Sequence, residues 1–149
     1  MSLENLLKIG QLKQHPPNRD EIQRLLAAAQ RNLDDARIAD ISPETRFDVS
    51  YKAIMQSALV ALLANGYRTD TNKPGHHMTV IQALPLTMGL KPARVSLLDT
   101  LRRKRNVSDY TGVDIDEDSA DACRIEAQQL LSEVTRWLAS KHPELAGDK

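Results

Sequence analysis

The stretch SPETRFDVSYKAIMQSALVALLANG, Ser42 to Gly66, begins and ends as a helix does. Ser42 is suited to accept from the first free backbone N–H groups, and Pro43 fits the first helical position, where its missing N–H costs nothing. Glu44 favours the positive end of the helix dipole. Phe47, Tyr51, Ile54, Met55, Ala58, Leu59, Leu62 and Leu63 then recur at helical spacing on one face. Val60 and Ala61 widen that surface, which predicts a helix at the centre of the molecule. Asn65-Gly66 closes it, since glycine accepts the left-handed conformation that commonly follows a helix.

Working outward, Leu3 to Leu12 reads as a short helix stopped by His15-Pro16-Pro17, so residues 1–17 form an N-terminal helix and linker. Asn18 stands three residues before Glu21, the spacing of a capping box, and opens a helix to about Asp40. Its buried stripe is Ile22, Leu25, Leu26, Ala29, Leu33 and Ala36. Beyond the central helix, Tyr67 to Gly75 is a polar loop, and His76 to Met88 is a third long segment that Pro85 should kink or end. A helix from about Ala93 to Val107 follows, then a turn over Thr111 to Asp116, then a final helix from about Glu117 to Ser140. Residues 143–149 are expected to fray. No stretch alternates with a period of two for long enough to make a strand. The expected fold is all-α: one domain over 1–149, an antiparallel bundle of about five long helices plus the short N-terminal one.

Length and composition agree. A chain of 149 residues suits one domain, and with only 3% aromatics its core must be aliphatic. Formal net charge is zero, which argues against a uniformly basic surface for non-specific nucleic-acid binding. A single cysteine, Cys123, rules out an intrachain disulfide and is expected to be a buried small hydrophobe. The N-terminus lacks the basic and apolar regions of a signal peptide, and no apolar stretch reads as long enough to span a bilayer. The expected setting is therefore cytoplasmic, with no membrane partner. Trp137 is expected as a core or interface anchor, and His76-His77 as one surface and one packed histidine, the alternative being a catalytic histidine supplied from this helix start to Arg105. No phosphate loop, dinucleotide fingerprint, zinc spacing or serine elbow is present, so neither cofactor nor metal is expected.

Charge is concentrated in one place. Leu101 to Arg105 read LRRKR, with Lys91 and Arg94 upstream, and Asp109, Asp114, Asp116, Glu117, Asp118 and Asp121 follow closely. Helix dipoles alone explain much of this, because cations favour a helix C-terminus and anions an N-terminus, by about 0.3–1 kcal/mol each. Arg105 and Asp109 are also spaced as an ordinary i, i+4 pair.

The run Arg105-Asn106-Val107-Ser108-Asp109-Tyr110 is more specific. With the Tyr51-centred helix, the turn at Gly66-Tyr67-Arg68 and the Gly75-His76-His77 helix start, it resembles the HEPN superfamily of small, often dimeric helical bundles, over about Asn18 to His142. That resemblance implies an arginine, often followed by a polar residue such as asparagine, and a histidine with four to six residues intervening. In active members the pair lies in a cleft at the dimer interface and cleaves RNA without metal. Arg105 matches the arginine, but Tyr110 stands where the histidine falls, and no histidine lies between Arg105 and His142. Imidazole, with a pKa of about 6.5, accepts a proton near neutrality, whereas phenol, at about 10, does not.

The resemblance therefore implies a homodimer that binds nucleic acid, DNA or RNA, or a nucleotide through Arg102, Arg103, Arg105, Asn106 and Tyr110. The alternative is a metal-independent RNase of a toxin–antitoxin pair, with Arg105 and Tyr110 as its catalytic candidates. A third reading is a module that only associates with itself or with a partner protein. A helix-turn-helix ranks below these, because the Ala93–Val107 helix is basic at its C-terminal end, whereas such helices read bases with their N-terminal part.

Overall fold

The computed structural model describes residues 1–147. Its elements run α1 (Leu3–Lys8), β1 (Leu12–Gln14), α2 (Arg19–Ala36), α3 (Pro43–Ala64), β2 (Tyr67–Thr69), α4 (His76–Gln82), α5 (Leu84–Met88), α6 (Pro92–Thr111) and α7 (Glu117–Lys141). The protein is an all-α bundle with one small sheet.

The local signals act as their chemistry requires. The Ser42 side chain accepts from the Thr45 N–H at 3.2 Å, and Pro43 opens α3. Gly66 follows Asn65 with φ of +89°, a conformation that a side chain would strain. The Asn18 side chain accepts from the Glu21 N–H at 3.0 Å. The reciprocal half of the capping box is absent, because the Glu21 carboxylate contacts His15 Nε2 at 2.8 Å. Pro85 does not kink one helix but starts another, so the expected third segment is two short helices separated at Ala83.

Helix α3 is the axis of the fold, packed most extensively against α7 and α2. Phe47, Tyr51, Ile54, Val60, Ala61 and Leu62 are buried along it. By length and composition α3 could cross a bilayer, contrary to the sequence reading, but 67% of its most apolar window is buried inside the protein. Consecutive long helices are antiparallel, as short connections require. The non-consecutive pair α3 and α7 runs parallel: Arg46, near the start of α3, pairs with Glu117 and with Asp121 at 3.4 Å, both near the start of α7. The Cys123 thiol donates to the Phe47 carbonyl at 3.8 Å, again near the start of each helix. Arg46 itself is buried and also donates to the Ile41 carbonyl at 3.2 Å.

Three expectations are corrected. Strands do form: β1 and β2 pair antiparallel, Leu12 opposite Thr69 and Gln14 opposite Tyr67. Three residues are too few to display a period of two, so the ladder has no local signature. The tail does not fray as far as Gly147: Leu145 is buried, Arg19 donates to the Ala146 carbonyl at 3.0 Å, and Gln23 donates to that of Leu145 at 3.0 Å. Positions 148 and 149 lie outside the described residues. Finally, α6 continues past Val107 to Thr111 and ends at Gly112, which alters where Asn106 to Tyr110 point.

Candidate functional site

Helical spacing puts Asp48, Tyr51, Lys52 and Met55 on one side of α3. The end of α6 crosses this side and places the Arg105 guanidinium over the Tyr51 ring, 5.0 Å from its centroid. Arg105 Nε lies 3.8 Å from an Asp48 oxygen and 3.6 Å from one of Asp109. Both distances are too long for hydrogen bonds, and among the described residues Arg105 donates none. Its charge is partly balanced while its donors remain unused. From α4, His77 brings Nδ1 to 3.3 Å from the Tyr51 hydroxyl, and His76 packs edge-on against His77 with centroids 4.6 Å apart.

Tyr51, His77 and Arg105 line an open hollow of about 680 Å³ between α2 and α3, together with Arg31, Asp34 and Asp35 of α2 and Lys52 of α3. Burial pushes the Tyr51 phenol up to about 12, with Arg105 and Arg102 acting weakly in the other direction, so the ring is neutral. His77 is held below its ordinary value, first by burial, then by His76, Arg105 and Arg102. It is therefore neutral at neutral pH. The Asp48 carboxyl is raised by burial and by Asp109, against the opposing pull of Arg105 and Lys52.

The other sequence-predicted residues lie elsewhere. Arg102 and Arg103 converge on one buried carboxylate, Asp99, at 2.8 and 3.0 Å, and the two guanidinium groups hold that carboxyl below its usual range. Arg94 is fixed against Glu133 at 2.8 Å and Glu126 at 3.2 Å of α7. Asn106 is half-buried and does not line the hollow. Tyr110 is 87% exposed and has no part in it. The reason is helical geometry: five residues at about 100° each turn Tyr110 about 140° away from Arg105, whereas Asp109 stays within about 40°. The cluster legible in the sequence is thus largely used up within α6 and its packing against α7, and only Arg105 joins the hollow.

Sequence reasoning did not find Tyr51, Lys52 or Arg31 as site residues, and gave His76-His77 a site role only as an alternative. Arg24 and Arg31, seven residues apart on one face of α2, were the available signal. Arg24, Arg31 and Lys52 make no hydrogen bond or ion pair among the described residues. Among those residues there is also no group of three His, Cys, Asp or Glu side chains placed to hold a metal ion. Cys123 is buried, which raises its thiol well above the ordinary range, with Asp48 and Glu126 adding to the effect. It is not poised as a nucleophile. Compared with known proteins, the chain matches no family model, no curated protein and no solved structure.

Proposed function

We propose that this protein is a HEPN-like helical bundle that binds nucleic acid or a nucleotide at the Arg105 hollow, without catalysis. The observation that carries the reading is the Arg105 guanidinium, stacked on Tyr51 at 5.0 Å, lining an open hollow with its hydrogen-bond donors unused. Stacking orients the planar group, and a guanidinium so held grips a phosphate through two parallel bonds. Lys52 and Arg31 add positive charge to the same hollow. Asp48 and Asp109 stand close enough to Arg105 to keep its charge tolerable without a ligand, and an incoming phosphate displaces their influence rather than a hydrogen bond. The reading includes a homodimer in a cytoplasmic setting, to be checked by light scattering of the purified chain and by fractionation.

Fluorescence anisotropy with labelled single-stranded RNA and DNA, at low and moderate salt, tests the binding reading. Loss of one charge-assisted contact of about 1.5–3 kcal/mol predicts about a tenfold or greater weakening for Arg105→Ala. Equal affinity of the Arg105→Ala protein and the parent for both polymers and for a free nucleotide would end this reading.

A specific observation favours the second reading, a metal-independent RNase of the toxin–antitoxin kind the resemblance implies: His77 lines the same hollow as Arg105 and is neutral. When Nδ1 carries the proton and donates it to the Tyr51 oxygen, Nε2 keeps a lone pair able to accept a proton from a ribose 2′-hydroxyl. His77 would then supply from α4 the imidazole that Tyr110 does not. Incubation of purified protein with RNA in EDTA decides between the two: cleavage abolished by His77→Ala supports the nuclease, and intact RNA leaves the binder.

A further inference from the structure

The hollow at Arg105 does not end there. A second hollow of about 550 Å³ shares Ala28 and Arg31 with it, and a third, of about 180 Å³, shares Met55, Gln56 and His77 with the first and Leu59, Thr69 and Thr71 with the second. Through these shared residues the three hollows adjoin as a groove along α3, the first two against α2 and the third against α4 and the end of β2. At its far end stand Arg24 and Arg68, with Arg31 at the junction. Arg24 and Arg31 are exposed and unpaired among the described residues, and Arg68 donates only to the neighbouring Thr69 carbonyl at 3.3 Å. Of the carboxylates at this end, Glu21 is occupied by His15 at 2.8 Å, while Asp34 and Asp35 line the hollow beside Arg31. Among the described residues Arg24 and Arg68 have no carboxylate within ion-pair distance, whereas Arg105 faces Asp48 and Asp109. The groove floor between the two ends is apolar, formed by Met55 and Leu59.

We infer that Arg24, Arg31 and Arg68 form a second phosphate subsite, and that the groove selects a single nucleic-acid strand several nucleotides long. The inference rests on the binding reading above and names the ligand class it leaves open. Cations at both ends of an apolar floor match a strand whose phosphates run along the rim and whose base faces lie on the floor. From Tyr51 to Leu63 the groove follows twelve residues of α3, about 18 Å at about 1.5 Å each, room for about five stacked nucleotides at about 3.4 Å.

Binding of AMP, a trinucleotide, a dodecanucleotide of oligo-dT or oligo-U, a duplex of equal length and polyglutamate tests this. Affinity should rise at least about tenfold from trinucleotide to dodecanucleotide, since each added phosphate contact contributes about −0.7 to the salt slope. The double variant Arg24→Ala/Arg68→Ala should return the dodecanucleotide to trinucleotide affinity and leave the trinucleotide unchanged. If Arg68→Ala lowers thermal stability, Arg24→Glu alone, at an exposed position, carries the same comparison. Length-independent affinity, equal binding of duplex or polyglutamate, or an unaffected Arg24 variant in a protein still sensitive to Arg105→Ala would overturn the second subsite alone. Insensitivity of every ligand to Arg105→Ala would instead remove the reading beneath it. Oligo-dT against oligo-U distinguishes DNA from RNA as the strand.

Discussion

The Arg105 guanidinium and the Tyr51 ring are more than fifty residues apart in the chain, yet they stack at 5.0 Å and fix the end of α6 on the middle of α3. The phenol hydroxyl passes the contact on to His77. Arginine, tyrosine and histidine thus respond as one unit.

That coupling makes His77 a reporter of Arg105. Because Arg105 is among the causes that depress His77, Arg105→Ala should raise the His77 pKa in an NMR titration. Stability should follow the same group. A histidine depressed in the folded state binds fewer protons there than in the unfolded chain, so its contribution is full above about pH 6.5 and is lost as pH falls through the folded value. The difference in melting temperature between the parent and His77→Gln should therefore shrink between about pH 7 and 5. A difference that stays constant over that range would show that His77 is not depressed.

Arg46 ties the starts of the parallel helices together. Arg46→Met keeps the packing volume but abandons Glu117, Asp121 and the Ile41 carbonyl, and should cost about 2 kcal/mol in urea unfolding. Glu117→Ala should cost less than about 1 kcal/mol, because Glu117 is exposed and Asp121 continues to pair with Arg46. Equal losses for the two variants would contradict this division.

Tyr110 serves as the contrast. Exposed and turned away from the hollow, it should tolerate Tyr110→Ala with a stability change within about 0.5 kcal/mol and no change in oligonucleotide affinity. A loss of affinity comparable with that of Arg105→Ala would mean that a second chain or a ligand brings Tyr110 back to the site.

Leu145 tests the packed tail. Its truncation in Leu145→Ala should destabilise the protein by about 2 kcal/mol, near the low end for buried leucine. A neutral result would mean that the segment after α7 leaves the core in solution.

How much of this was legible depended on the range of the interaction. The limits of α3 were readable because Ser42, Pro43, Asn65 and Gly66 act on backbone groups a few residues away. The burial of Cys123 also followed from the chain alone, and Arg105, singled out there, lines the hollow. The β1–β2 ladder was not readable, since Leu12 and Thr69 meet only after α2 and α3 have folded between them. Tyr110 was misplaced for one reason: extending α6 by four residues rotates a side chain away from a neighbour that sequence proximity seemed to guarantee. The groove cations escaped notice because Arg24, Arg31, Lys52 and Arg68 come from three elements, and no local run announces them. The dense LRRKR run drew attention although most of its charge answers Asp99.

Translation order gives the parallel pair a further meaning. On the ribosome, residues 43–64 emerge long before residues 117–141, and for that interval a segment as long and apolar as a bilayer span lacks its α7 cover. Nascent chains stalled before Glu117 should crosslink to chaperones or translocation factors, and chains extended beyond Lys141 should let go of them. A helix made late thus hides the greasiest one, so α7 must emerge before this fold can shed its escorts.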